Sequence, residues 1–436
     1  MLSRSGDNEV HEVGLLPGGI AQRVSGWFKN PRRALVPLAT VAAAISLASC
    51  SSPGTSSSSS SSSVGVTAKT IHLGVLVPVT GAAAIPQPAI QSLNAYWDMI
   101  NAKGGINGRK VTLDIYDTTS TEQGARTAVS QASSKDLAVM SLDRIAVEQA
   151  ILNATQADGL PSILAQTTSG TPASDSWEFN VGVSQTRQGT MAADFFAHTL
   201  HLKRVAVVTE VDSTLQPAAQ AFVTAAKRDH MTVTNYDQIP AGQTQYLSEA
   251  QKLASAKPQA VWLYMAPNTA VPLVKESLVN YHFHPVWFAQ SIAWQFNITL
   301  FLANSAGNNA LDGAYAFAPW PSLESPQAAT YLHYEAKYYP SFASNKSLAD
   351  IGLVGWGLSQ IAANAIQAAG HHLTRSTFRN AMQQLHLGST SPVDHSPLLW
   401  SPISFSGNIR TGATAIRVLK AGVTQWHPFL GFRSSF

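Results

Sequence analysis

From Thr70 onward, short aliphatic runs alternate with longer runs whose apolar positions recur every three or four residues, and no other feature constrains this chain as tightly. Ile71, Leu73, Val75 and Val77 form a strand pattern that stops at Pro78. Ala89 to Asn101 then carries Ile90, Leu93, Tyr96, Trp97 and Ile100 at helical spacing and is closed by Gly104 and Gly105. Val111, Leu113 and Ile115 alternate with polar residues as a second strand. The same order predicts a helix over Thr121 to Ser133, a strand over Ala138 to Ser141, a helix over Val147 to Ala157 and a strand over Ile163 to Ala165. A second set begins with a helix over Gln188 to Leu200. It runs through strand Val205 to Thr209, helix Pro217 to Asp229, strand Met231 to Asn235, helix Leu247 to Ala256, strand Ala260 to Tyr264 and helix Val271 to Asn280. Such alternation predicts an α/β protein with parallel sheets covered by helices on both faces, and the break near Gly182 to Gln188 predicts two doubly wound lobes. With 436 residues, 45% of them apolar, the chain has material for two cores.

In open α/β sheets the ligand lies outside the carboxyl ends of the strands. The loops that matter therefore follow Val77, Ser141, Ala165, Thr209, Tyr264 and Phe288. They are rich in hydroxyls and amides, including Thr80, Gln166, Thr167, Thr168, Asp212, Thr214 and Gln290, which suits binding more than catalysis. A serine hydrolase needs its nucleophile on a Gly-x-Ser-x-Gly turn, and that run is absent. Gly352, Gly355 and Gly357 lie inside a helical pattern, where close packing explains them better than a nucleotide fingerprint. His282 with His284, and His371 with His372, lack a third ligand at metal-binding spacing, so neither metal nor other cofactor is expected. With 28 basic and 25 acidic residues, and no basic run longer than Arg32 and Arg33, no nucleic-acid footprint is present.

The N-terminal part reads as an address. Lys29, Arg32 and Arg33 precede an apolar stretch from Ala34 to Ala48, which is short for a membrane span of about 20 residues and ends in Leu47-Ala48-Ser49-Cys50. Basic flank, apolar segment and small-residue ending predict a signal peptide over residues 1–49, and the last four residues resemble a bacterial lipobox. That resemblance makes Cys50, the only cysteine, the lipid-carrying N-terminus of the processed chain. Residues 50–68 include eight consecutive serines, Ser56 to Ser63, and read as a flexible tether with a reach of roughly 25 Å. The 33 residues before the apolar segment include Asp7, Glu9 and Glu12, which signal peptides seldom carry, so translation is expected to start later, for instance at a valine codon such as Val24.

The run Ile71-His72-Leu73-Gly74-Val75-Leu76-Val77-Pro78-Val79-Thr80-Gly81, followed by Asn101-Ala102-Lys103-Gly104-Gly105-Ile106-Asn107-Gly108-Arg109-Lys110, is similar to the opening of periplasmic leucine/isoleucine/valine-binding proteins. Asp158-Gly159-Leu160-Pro161, Ala241-Gly242-Gln243-Thr244 and Ser401-Pro402-Ile403-Ser404-Phe405-Ser406-Gly407-Asn408 extend the resemblance in family order to the end of the chain. It implies a type I periplasmic binding protein: two lobes joined by a three-crossing hinge, with the ligand cleft between them. By that analogy residues 69–186 plus 317–408 form lobe one, and 187–316 plus 409–436 form lobe two.

Carried over residue by residue, the family's carboxylate-binding turn falls on Ser141 to Glu148, which contains Asp143 and Ala146, and its threonine loop falls on Gln166-Thr167-Thr168. In the second lobe the family's aromatic position falls near Thr214, beside Asp212, and the acid that meets an α-ammonium falls near Gln290, while Tyr264 is placed to line the cleft. An ammonium buried without a carboxylate costs several kcal/mol, so the expected ligand is a small amino-acid-like or amide or organic compound in place of a standard branched-chain amino acid. The resemblance implies a monomeric, non-enzymatic lipoprotein on the outer face of the cell membrane that hands its ligand to the permease subunits of an ABC importer. The alternative is a lipoprotein of the same fold that senses a ligand and signals to a membrane receptor.

Overall fold

The computed structural model describes residues 63–80, 87–143, 145–165, 176–240, 243–289, 297–304, 309–345, 349–405 and 411–436. Cys50, the lipobox and most of the serine tether lie outside them, as do Arg144, Gln166, Thr167, Thr168, Gln290 and Ser291. Among the described residues no helix is long and apolar enough to cross a membrane.

The first sheet is built from β1 (Thr70–Val77), β2 (Lys110–Asp117), β3 (Ala138–Ser141), β4 (Ser162–Leu164) and β5 (Glu178–Asn180) in the order β2-β1-β3-β4-β5, with every neighbouring pair parallel. Its crossovers are α1 (Gln87–Ala102), α2 (Glu122–Ser133) and α3 (Ile145–Asp158). Along β1 the apolar side chains divide by period two. Ile71, Leu73, Val75 and Val77 enter one core with α1, whereas Leu76 enters a smaller core with Ala125, Val129, Val147 and Ile151 of α2 and α3.

The second sheet comprises β6 (Arg204–Glu210), β7 (Thr232–Ile239), β8 (Ala260–Tyr264), β9 (Val286–Ala289), β10 (Tyr315–Ala318), β13 (Ile416–Ala421) and β14 (Trp426–Arg433), ordered β14-β13-β10-β9-β8-β6-β7. Five strands are parallel, and β13 and β14 close one edge antiparallel. The helices α4 (Gln185–Asp194), α5 (Gln216–Arg228), α6 (Leu247–Ala256), α7 (Pro267–Tyr281) and α8 (Asn297–Asn304) cover its two faces. Where one helix over Gln188 to Leu200 was expected, α4 starts earlier on the Ser184 cap and ends at Asp194. The chain then widens into a turn in which Leu200 N donates to Phe195 O at 3.0 Å. This turn seats Phe195 among Phe288, Tyr315, Phe429 and Phe436, a cluster no local pattern specifies.

After β10 the chain returns to the first sheet. There α9 (Ala329–Tyr338), α10 (Gly352–Ala369) and α11 (Arg375–Gln383), with the short ladder β11 (His386–Leu387) and β12 (Ile403–Ser404), complete the core that holds Ile71 and Val75. Helix α10 is buried nearly all round, and Trp356 meets the rings of Tyr96 and Tyr331 at 5.1 and 5.6 Å. Gly352 and Gly357 serve close packing: a Cβ at 352 would lie 2.2 Å from the Tyr331 hydroxyl, and one at 357 would lie 2.8 Å from Leu399 O.

Three segments pass between the sheets, from β5 to α4, from β10 to α9 and from β12 to β13. The first and third run side by side, with Gly412 N donating to Asn180 O at 2.7 Å, and Trp400, just before β12, adds a bond from its Nε1 to Val181 O at 2.7 Å. Arg187 Nη2 ties the start of α4 to Thr414 O at 2.9 Å and Ser434 O at 2.8 Å. Trp320 of the second crossing packs on Trp400, ring centroids 5.5 Å apart.

Candidate binding cleft

The strand order reverses between β1 and β3 in the first sheet and between β6 and β8 in the second. These switch points leave a crevice at the carboxyl ends, because the crossovers on either side depart to opposite faces.

At the first switch point an acid organises the rim. Asp117, the last residue of β2, accepts from Val79 N at 2.9 Å, Thr80 N at 3.3 Å, Thr80 Oγ1 at 2.5 Å and Thr119 N at 2.8 Å. Burial pushes its carboxyl up, but the donors outweigh burial and hold it below the ordinary carboxylate range. Asp143 sits just past β3, only 3% exposed. Its Oδ1 accepts from Ser120 Oγ at 3.1 Å and its Oδ2 from Thr118 Oγ1, so both oxygens brace the turn after β2. Ala146 lies in the first turn of α3, placed by its backbone alone. Gln166, Thr167 and Thr168 follow β4 in the sequence and lie outside the described residues.

The second switch point repeats the device. Glu210, last in β6, accepts from Thr269 Oγ1 at 2.7 Å and from Ala266 N at 3.4 Å, which ties β6 to the turn after β8. Asp212 and Thr214 are brought together, since Asp212 Oδ1 accepts from Thr214 N at 2.8 Å and Thr214 Oγ1 at 2.7 Å and caps the short turn before α5. Tyr264 ends β8 but is 3% exposed, with its ring 4.9 Å from Trp262 inside the core beneath α4 and α5. Burial pushes its hydroxyl well above the ordinary tyrosine range, which leaves it neutral. Gln290 follows β9 outside the described residues.

Thr80 is one of the loop hydroxyls the sequence points to, whereas Asp117 and Glu210, which hold the two rims, carry no such signal in the loops themselves. The available signal was an acid as the last strand residue, followed within four positions by Ser or Thr. Chemically, the described rim is a set of fixed turns that present hydroxyls and backbone N–H groups, with acids committed to holding them. Two sets of carboxylate and imidazole groups, His72 with Asp114 and Asp136, and Asp194 with His198 and Asp229, lie on other parts of the fold.

Comparison with known proteins agrees with this architecture. The periplasmic binding protein family matches residues 70–422, and the chain belongs to that family. Its fold is that of the type I periplasmic binding proteins, as solved structures show. A fatty acid ABC transporter substrate-binding protein from Thermomonospora curvata aligns with a TM-score of 0.71 at 18% identity, covering 86% of this chain and 95% of that one. The branched-chain amino acid transporter substrate-binding protein of Streptococcus pneumoniae, solved with isoleucine, aligns with a TM-score of 0.68 at 16% identity, covering 84% of this chain and 100% of that one. A Leu/Ile/Val-binding protein homolog of Brucella melitensis is 25% identical over 197 residues, 44% of this chain, and the match spans 53% of that relative.

Proposed function

We propose that this protein is the extracytoplasmic solute-binding lipoprotein of an ABC importer. The observation that carries the reading is the pair of switch points, each with its rim held by a strand-end acid, Asp117 in one sheet and Glu210 in the other. Residues 69–186 plus 317–408 act as one lobe and 187–316 plus 409–436 as the other. A solute touching both favours the closed form by its differential affinity, and the importer's permease reads closure. Cys50 carries the lipid, and the serine tether lets the lobes swing near the membrane.

The ligand is a small, neutral or weakly charged organic molecule, such as an amide or an aromatic compound, bound by Gln166, Thr167, Thr168 and Gln290 with the turns at Asp143, Ala146, Asp212 and Thr214. The absence of an acid near Gln290 supports this over a free α-amino acid. The named ligands of the similar solved proteins, a fatty acid in one and isoleucine in another, are compatible with such breadth. A thermal-shift screen over aliphatic amides, aromatic acids, fatty acids and the twenty amino acids tests the ligand class. Stabilisation by an amide or aromatic compound is expected, and strong stabilisation by leucine, isoleucine or valine alone would refute it. Detergent-phase partitioning that is lost in Cys50→Ser tests the anchor.

A further inference from the structure

On the first sheet, away from the strand ends that frame the cleft, three ligand-type side chains converge. His72 Nδ1 lies 2.8 Å from Asp114 Oδ2, and donor atoms of His72, Asp114 and Asp136 all lie within 4.8 Å of one another. Sequence spacing hid the set: His72 and Asp114 are 42 positions apart, on adjacent strands in parallel register, and Asp136 comes from the turn before β3.

One further observation points to a ligand for this set. Asp136 is fully buried; its Oδ2 accepts from Tyr116 Oη at 2.7 Å, while its Oδ1 has no donor. A buried carboxyl oxygen without a partner is costly unless a proton or a cation reaches it, and the imidazole and second carboxylate beside this one supply the other donors that a cation needs. Position 74 is glycine, and a Cβ there would stand 2.9 Å from Val139 Cγ1, 3.0 Å from Asp136 Oδ2 and 3.2 Å from Tyr116 Cε2, so the glycine makes the room that this carboxyl occupies.

We propose that His72, Asp114 and Asp136 form a binding site for a first-row divalent cation that staples β1, β2 and the turn before β3. One imidazole with two carboxylates suits Zn²⁺ better than Mg²⁺ or Ca²⁺, which favour all-oxygen shells. At metal–ligand bonds of about 2.0–2.2 Å in tetrahedral geometry, neighbouring donor atoms stand about 3.3 Å apart. The His72–Asp114 pair therefore needs to open by only about half an ångström. Water completes the shell, because the His72 and Asp114 side chains keep 27% and 15% of their surface open to solvent. Lys135 Nζ now holds Asp114 Oδ1 and competes for the site; as a half-exposed side chain it can swing away. Arg375 approaches the same turn but gives its donors to the carbonyls of Ser133 and Asp136.

The test is calorimetric titration of the chelator-treated full-length protein with Zn²⁺, alongside His72→Ala, Asp136→Asn and Lys135→Met. The expected result is one equivalent bound with a rise in melting temperature, weakening by about 100-fold in the first two variants. Lys135→Met should bind several-fold more tightly, a gain that loss of a merely structural ion pair would not produce. If Asp136→Asn fails to fold, His72→Ala carries the test, since its side chain is part-exposed. Failure of the parent protein to take up Zn²⁺, or equal uptake by His72→Ala through other histidines, overturns the proposal, and neither outcome bears on the cleft.

Discussion

Arg417 donates from Nη2 to Gln327 Oε1 at 3.0 Å, joining the strand that leaves the third crossing to the turn at the end of the second. Arg417 is 7% exposed, and its guanidinium lies 4.0 Å from the centre of the Phe432 ring and leaves Nε without an acceptor. Burial lowers its pKa to about 10. A cation so placed depends on its one amide partner.

Gln327→Ala should therefore destabilise the protein by about 1–3 kcal/mol, because it strands a buried charge. Arg417→Met combined with Gln327→Ala should recover most of the loss. Urea unfolding of both single variants and the double variant measures the coupling, expected at about 1–2 kcal/mol. Strict additivity would show that the bond does not matter.

Asp117→Asn keeps the shape of the rim but removes the charge and turns one acceptor into a donor facing N–H groups. Ligand affinity should fall, with stability lower by about 1–2 kcal/mol at neutral pH. The carboxyl's pKa is lowered in the folded state, so its contribution is present above about pH 4 and is lost as pH falls further. Acid titration followed by circular dichroism should show a shallower acid limb in the variant.

Glu335 of α9 is fully buried with neither carboxylate oxygen partnered, and burial pushes it up to about 7. The folded state thus holds a proton that the unfolded chain releases near its ordinary value. This contribution is complete below about pH 4.5 and disappears as pH rises through about 7. Glu335→Gln should be more stable than the parent at pH 8 by about 1–3 kcal/mol and should lose that part of the pH slope. Melting temperatures from pH 4 to pH 8 decide it, and a variant that tracks the parent would exclude the effect.

Gly189 lets α4 cross α5 in contact, since a Cβ there would lie 2.0 Å from Ala218 O and 2.9 Å from Phe222 N, both backbone atoms. Neither can yield without moving a helix. Gly189→Ala should cost about 3 kcal/mol, read as a lower urea midpoint with an unchanged slope.

The alternation of strand and helix was legible because burial imposes the periods directly. α6 at Leu247–Ala256 and β8 at Ala260–Tyr264 match their expected bounds, and β7 runs on to Ile239 only because β6 pairs with it along that length. The class of protein was legible too, from strand-end loops rich in hydroxyls and from motifs in family order. Tyr264 shows the limit: its position at a strand end is a sequence property, whereas its burial against Trp262 depends on which face α4 and α5 cover. Asp143 likewise stands where expected, yet its oxygens meet Thr118 and Ser120, residues of a different crossover.

Local patterning therefore determined the elements, their order and the end of each sheet where a ligand belongs. Tertiary structure alone decided the strand order, the bundling of three distant crossings and the meeting of His72 with Asp114 and Asp136. Periodicity records whether a side chain faces a core, but partners 42 positions apart are chosen by the register in which two strands pair, and that register is set only when both faces of the sheet are packed.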